Sequence, residues 1–205
     1  MDDDMQASAI GIRVHSGWGA LVAVAGEPGA LEVVERRRIE IVDRNAAGAA
    51  QPYHFAKDLE LAEAKKFIAN SGAASAQSAL TAMREIVDEL KGKAYNVVAA
   101  AILLSAGRPL PDLEKILGSH PMIHTAEGEF FRHAFRDACE SLKIPVTGIR
   151  ERELDERTKS VLGKDAGSLK KKIAGLGKTL GPPWTSDQKT ATLAAMIALA
   201  EQDNS

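Results

Sequence analysis

Aromatic residues are scarce in this 205-residue sequence, at 4%, and cysteine occurs once, at Cys139. One cysteine excludes an internal disulfide and fits a reducing cytoplasm. No run approaches the roughly 18 consecutive apolar residues of a membrane span. The acidic start Met1-Asp2-Asp3-Asp4 is wrong for a secretory signal. Formal net charge is −2, so there is no global basic field to attract nucleic acid. The expectation is a soluble, cytoplasmic protein without a membrane partner.

What is present is aliphatic. Hydrophobic residues make up 45% and charged residues 26%, the balance of a globular chain. Ala, Leu, Val and Ile carry the apolar total, which predicts aliphatic strands packed on Ala-rich helices. Residues 7–14 and 19–25 read as two strands around a Gly-containing bend at Ser16-Gly17. Leu31 to Val42 alternates imperfectly and is mostly polar, as an edge strand would be. A loop is expected over 43–54. One helix is expected from Asp58 to Ile68, with a break at Asn70-Ser71-Gly72. A second carries Ala79, Met83, Ile86 and Leu90, with Gly92 just past its end.

The apolar run Tyr95 to Leu104 predicts a central parallel strand buried on both faces. Further on, Asp112–Leu117 reads as a helical turn and 122–124 as extended. A helix is expected over Glu127–Leu142, a strand over 145–149, short helices over 154–162 and 168–176, and a long final helix over Asp187–Glu201. This order predicts one α/β domain over residues 1–205. Its mixed sheet would hold an antiparallel three-strand meander plus parallel strands, flanked by helices.

The C-terminal segment sharpens that order. It runs Thr158-Lys159-Ser160-Val161-Leu162-Gly163-Lys164, Ser168-Leu169-Lys170, Ile173 to Leu176, then Pro182-Pro183-Trp184-Thr185-Ser186-Asp187 and an Ala-rich helix. It resembles the end of RuvC-type Holliday-junction resolvases of the ribonuclease H-like superfamily, and the first hairpin matches them in outline. The resemblance implies phosphodiester hydrolysis by two divalent ions ~4 Å apart, held by carboxylates on the first strand, the central strand and the last helix. It also implies a homodimer. Carried onto this chain, those positions hold Arg13, Ser105 and Thr190, and only Asp187 keeps its acid. A guanidinium at Arg13 would repel divalent ions. The resemblance therefore implies a fold whose catalytic carboxylates are mostly missing. The expected role is binding or scaffolding, with DNA or RNA as the partner.

Two alternatives stand beside this reading. An active phosphodiesterase could have rebuilt its site from Asp187 with Glu127 or Glu129 on Mg²⁺ or Mn²⁺. A more distant resemblance, to actin-like ATPases that share the meander, lacks the acid and most of the glycines of their phosphate hairpin. Asp187 has a structural reading too, since Ser186 or Asp187 would cap the last helix. His124, Glu127, Glu129 and His133 have zinc- or manganese-binding chemistry, but they also read as an ordinary helix start capped by Thr125. No metal site is assigned. Lys164, Lys170, Lys171, Lys172 and Lys178 form the concentrated basic segment, read either as a phosphate-binding surface or as a solvated face. Gly175-Leu176-Gly177-Lys178-Thr179 mimics the end of a phosphate loop, but Lys172 stands where the earlier glycine is required. Trp184 and Cys139 read as packing residues.

Overall fold

A computed structural model describes residues 5–105 and 109–203. The first strand, β1 (Gln6–His15), turns at Gly17, whose φ of +79° suits glycine, into β2 (Trp18–Ala25). These strands pair antiparallel from His15↔Trp18 to Ser8↔Ala25. Strand β3 (Glu32–Glu40) pairs antiparallel with β2 on the sheet edge. Strands β4 (Tyr95–Leu104) and β5 (Val146–Arg150) extend the other side in parallel, and the strand order is β3-β2-β1-β4-β5. This is the mixed sheet of the ribonuclease H-like α/β fold. The imperfect alternation of β3 has a cause: the β2–β3 register shifts between Ala23 and Val24 and leaves Val34 unpaired, so Val33 and Ile39, six residues apart, pack on opposite faces.

Helices cover both faces. On one lie α2 (Leu61–Gly92) and α4 (His120–Ser141), packed on Ile10, Ile12, Leu21 and Ile102. On the other lie α5 (Leu154–Leu162), α6 (Ala166–Gly175) and α8 (Ser186–Asp203), packed on Ala9, Val22, Ala101 and Leu103. Short helices α1 (Pro52–Ala56), α3 (Leu113–Leu117) and α7 (Gly177–Leu180) fill the connections. No helix among the described residues is long and apolar enough to cross a membrane.

Five local expectations are corrected. The helix does not break at Asn70-Ser71-Gly72 but runs for 32 residues. Gly72 serves helix crossing, since a Cβ there would lie 3.3 Å from Phe130 on α4. Gly92 is the last helical residue rather than a stop beyond it, and the left-handed position is Ala94, at φ +64°. The segment read as extended at 122–124 lies inside α4, whose start carries Pro121 in the first turn. Thr125 therefore caps nothing; its hydroxyl donates to the Pro121 carbonyl at 3.0 Å. The expected loop over 43–54 contains most of α1.

The packing of α8 on the sheet sets the geometry that matters below. Residues 191–199 of this helix are all buried, Ala191 through Leu199. A Cβ built on Gly11 would stand 1.9 Å from the Ala191 carbonyl oxygen. Glycine at position 11 thus lets the helix backbone lie directly on β1. Arg13 follows on the same strand face, two residues on, and Asp187 lies one turn before Ala191 on the helix.

Two outcomes are expected. Gly11→Ala should lower unfolding stability by ~3 kcal/mol or more, because the methyl meets backbone rather than a movable side chain; urea denaturation reads this. Burial pushes the Cys139 thiol up to about 12 from an ordinary 9.0. The native thiol should resist a disulfide reagent at pH 8 and react once urea unfolds the chain. Because the folded value is the raised one, the thiol's contribution to stability is complete below pH 9 and is lost as pH rises from 9 toward 12.

Candidate functional site

The carboxyl ends of β1, β4 and β5 point the same way, the end at which open α/β sheets hold their ligands. There Arg13 lies between two carboxylates. Its Nη1 donates to Asp187 Oδ1 at 2.7 Å, and its Nε sits 3.0 Å from Glu151 Oε1, just past the end of β5. The Arg13 side chain is 24% exposed and that of Asp187 19%, so the pair is partly shielded from water. At such distances the gross attraction is several kcal/mol at intermediate dielectric, and desolvation of both partners takes back much of it.

The other oxygen of Asp187 faces His15. Its Oδ2 lies 3.2 Å from His15 Nε2, without the alignment of a hydrogen bond, and Nε2 is buried with no other partner. His15 stacks on Trp18 at 4.2 Å, and the Arg38 guanidinium covers the Trp18 ring 3.5 Å from its centre. Arg38, Trp18 and His15 form a column that ends at Asp187. Nearby, Arg36 donates to the carbonyls of Leu180, Gly181 and Pro183, fixing the loop that delivers α8.

The cap of α8 is neither Ser186 nor Asp187, contrary to the sequence expectation. Thr185 accepts the Asp187 N–H at 3.2 Å, and Gln188 Oε1 accepts the Thr185 N–H at 2.9 Å. This is a reciprocal capping box. It leaves the Asp187 carboxylate to Arg13 and His15. Thr190 turns its hydroxyl back onto the Ser186 carbonyl at 2.8 Å.

The remaining acids from the sequence reading lie apart. Ser105 donates weakly to Glu129 Oε1 at 3.4 Å, and Arg132 holds the same oxygen at 2.9 Å. Glu129, Ser105, His133 and Arg150 line a cleft of about 510 Å³ beside the ends of β4 and β5. Glu127 faces elsewhere: it is buried and bonds His54 on α1. Among the described residues, Asp187, Glu127 and Glu129 form no group close enough to share an ion. His124, Glu127, Glu129 and His133 do not converge either. The histidines that do meet are His54, His120 and His124.

The basic segment divides. Lys170 pairs with Asp155, holding that carboxyl below its ordinary range, and Lys172 donates to the Gly29 carbonyl at 3.0 Å. Lys164, Lys171 and Lys178 are exposed. The glycine-lysine sequence ending at Thr179 follows helix α6, so no strand leads into it as a phosphate loop requires. Trp184 donates to the Ile173 carbonyl at 2.8 Å and packs over Gly177, a packing residue as expected.

Three residues of the observed clusters escaped sequence reasoning, two at the strand ends and one where α1 meets α4. His15 was legible as two residues beyond Arg13 on the same strand face. Glu151 was legible as the residue after β5. His120 pairs with His124 at helical spacing, a signal that Pro121 at a helix start would have exposed.

The strand order and the helix placed across β1 define a RuvC-type ribonuclease H-like fold. Two solved structures of the resolvase RuvC from Thermus thermophilus share it. One, in complex with a Holliday junction substrate, superposes with a TM-score of 0.55 at 12% identity and covers 97% of this chain and 96% of that one. The other gives 0.52 at 14% identity and covers 96% of each chain. No family model matches the chain, and no curated protein matches its sequence.

A double-mutant cycle on Arg13→Ala and Asp187→Ala should return a coupling energy of ~1–2 kcal/mol, read by urea unfolding. Thr185→Ala should cost ~1 kcal/mol through loss of the cap, with the Arg13–Asp187 coupling retained.

Proposed function

We propose that this chain is a RuvC-like protein that binds nucleic acid and does not cut it by the two-metal route. One observation carries the reading: the Arg13 guanidinium sits between Glu151 and Asp187. Two-metal hydrolysis needs carboxylate oxygens free to hold a pair of ions. Here the retained acid, Asp187, already faces a guanidinium on one side and an imidazole on the other. A divalent ion at that position would lie within a few ångströms of a fixed positive charge. Arg13 thus replaces mobile cations with a tethered one, and the carboxylate-lined centre becomes a closed ion pair.

The choice of nucleic acid as partner is supported by the fold likeness to a resolvase solved with its junction DNA and by the exposed Lys164, Lys171 and Lys178. We propose DNA as the ligand and a homodimer as the binding form, both from that likeness.

The experiment offers four-way and single-stranded DNA to the chain, with Mg²⁺ or Mn²⁺ at protein excess. No cleavage is expected, while binding weakens steeply with salt. Replacing Lys164, Lys171 and Lys178 together by Gln should flatten the salt dependence by ~2–3 in logarithmic slope, about 0.9 per lost phosphate contact. Cleavage that disappears in Asp187→Ala would overturn the non-nuclease reading. Absence of binding at low salt would overturn the nucleic-acid role.

A further inference from the structure

A second constellation lies away from the strand ends, where α1 meets the start of α4. His120 opens α4 and His124 follows one turn later on the same face, with their Nε2 atoms 3.1 Å apart. His54 comes from α1, its ring centre 5.2 Å from that of His120 and 4.7 Å from that of His124. One nitrogen from each of the three rings lies within 4.8 Å of the others. Tetrahedral zinc, with Zn–N bonds of about 2.05 Å, needs nitrogens about 3.4 Å apart. Small rotations of the two exposed rings, His120 and His124, suffice to meet that requirement.

Glu127 supplies the second, independent observation. Its side chain is only 4% exposed, and His54 engages both of its oxygens. The His54 backbone N–H donates to Oε1 at 3.1 Å, and ring Nδ1 lies 2.9 Å from Oε2. A buried carboxylate at Nδ1 holds the proton there and leaves the Nε2 lone pair as ligand. This is the carboxylate–histidine arrangement that orients imidazoles on metals. The platform is fixed from below, because Tyr53, next to His54, packs on Ile116, Ile123 and Ala126.

We propose that His54, His120 and His124 bind one transition-metal ion of the zinc class, oriented by Glu127, with the fourth position open to water or an external anion. Three imidazoles favour zinc and its neighbours over the oxygen-seeking magnesium and calcium. The site shares no residue with the Arg13–Asp187 centre and does not depend on the nucleic-acid reading. It ties α1 to α4 and presents a Lewis-acidic position at the surface, where His120 and His124 are exposed.

The test starts from full-length chain stripped with a chelator and titrated with Zn²⁺, then with Co²⁺. Expected are one zinc retained per chain after gel filtration and the intense visible band of tetrahedral cobalt. His120→Ala with His124→Ala should weaken zinc binding at least about 100-fold, and Glu127→Gln about 10- to 100-fold. The two histidines are exposed, so the double variant should keep the wild-type circular dichroism and remain interpretable if the buried Glu127 variant unfolds. Zinc retention no greater in the wild type than in the folded double variant would overturn the proposal and leave a hydrogen-bonded imidazole cluster. An octahedral cobalt spectrum would overturn the four-coordinate site.

Discussion

The approach of the α8 backbone to β1 at Gly11 is the constraint from which the rest of this structure follows. A helix carrying larger side chains, or a strand with a Cβ at position 11, would stand off from the sheet. The Ala-rich buried face of α8 lets it sit down, which brings the helix start over the end of β1. Arg13, two residues beyond Gly11, then meets Asp187, one turn before Ala191. The ion pair is a consequence of backbone packing. Its partners are delivered by the most buried elements of the fold, and the Thr185–Gln188 box and the Arg36 clamp fix the last turn of the approach.

Electrostatics then decides what such a centre can do. Carboxylates gathered at strand ends repel one another unless cations intervene. Mobile divalent ions meet that need and bring chemistry; a guanidinium meets it without chemistry. Arg13 has the further property of being held by covalent connection, so no ion concentration or chelator removes it. The proposed zinc position at the α1–α4 corner is built on the opposite principle, with neutral nitrogen donors around a gap and one buried carboxylate behind them. The two proposals rest on one contrast: neutral imidazoles would invite a metal where a guanidinium would exclude one.

Much of the sheet was legible in the sequence because its signals are local. The apolar run from Tyr95 to Leu104 read as a strand covered on both faces; it is a strand, and Ala99 to Leu103 within it are buried. The Arg13–Asp187 pairing carries no local signal, since its partners stand 174 residues apart and nothing in the intervening sequence joins them. What escaped was set by tertiary contact. Gly72 reads as a breaker, yet it lies within α2 where Phe130 needs room. Glu127 and Glu129 sit two apart on a helix and so point in different directions, one to His54 and one to Arg132. His54 joins His120 and His124 only because α1, read as loop, folds against α4.

The central claim is that Arg13 occupies the place of metal ions beside Asp187. It is tested most directly by titrating Mn²⁺ into isotope-labelled protein and following paramagnetic broadening of the amide signals at the start of α8. The account predicts that residues 186–190 stay sharp in the wild type and broaden in Arg13→Asp, where an acid replaces the guanidinium. Broadening centred on Asp187 in the wild-type chain would contradict it.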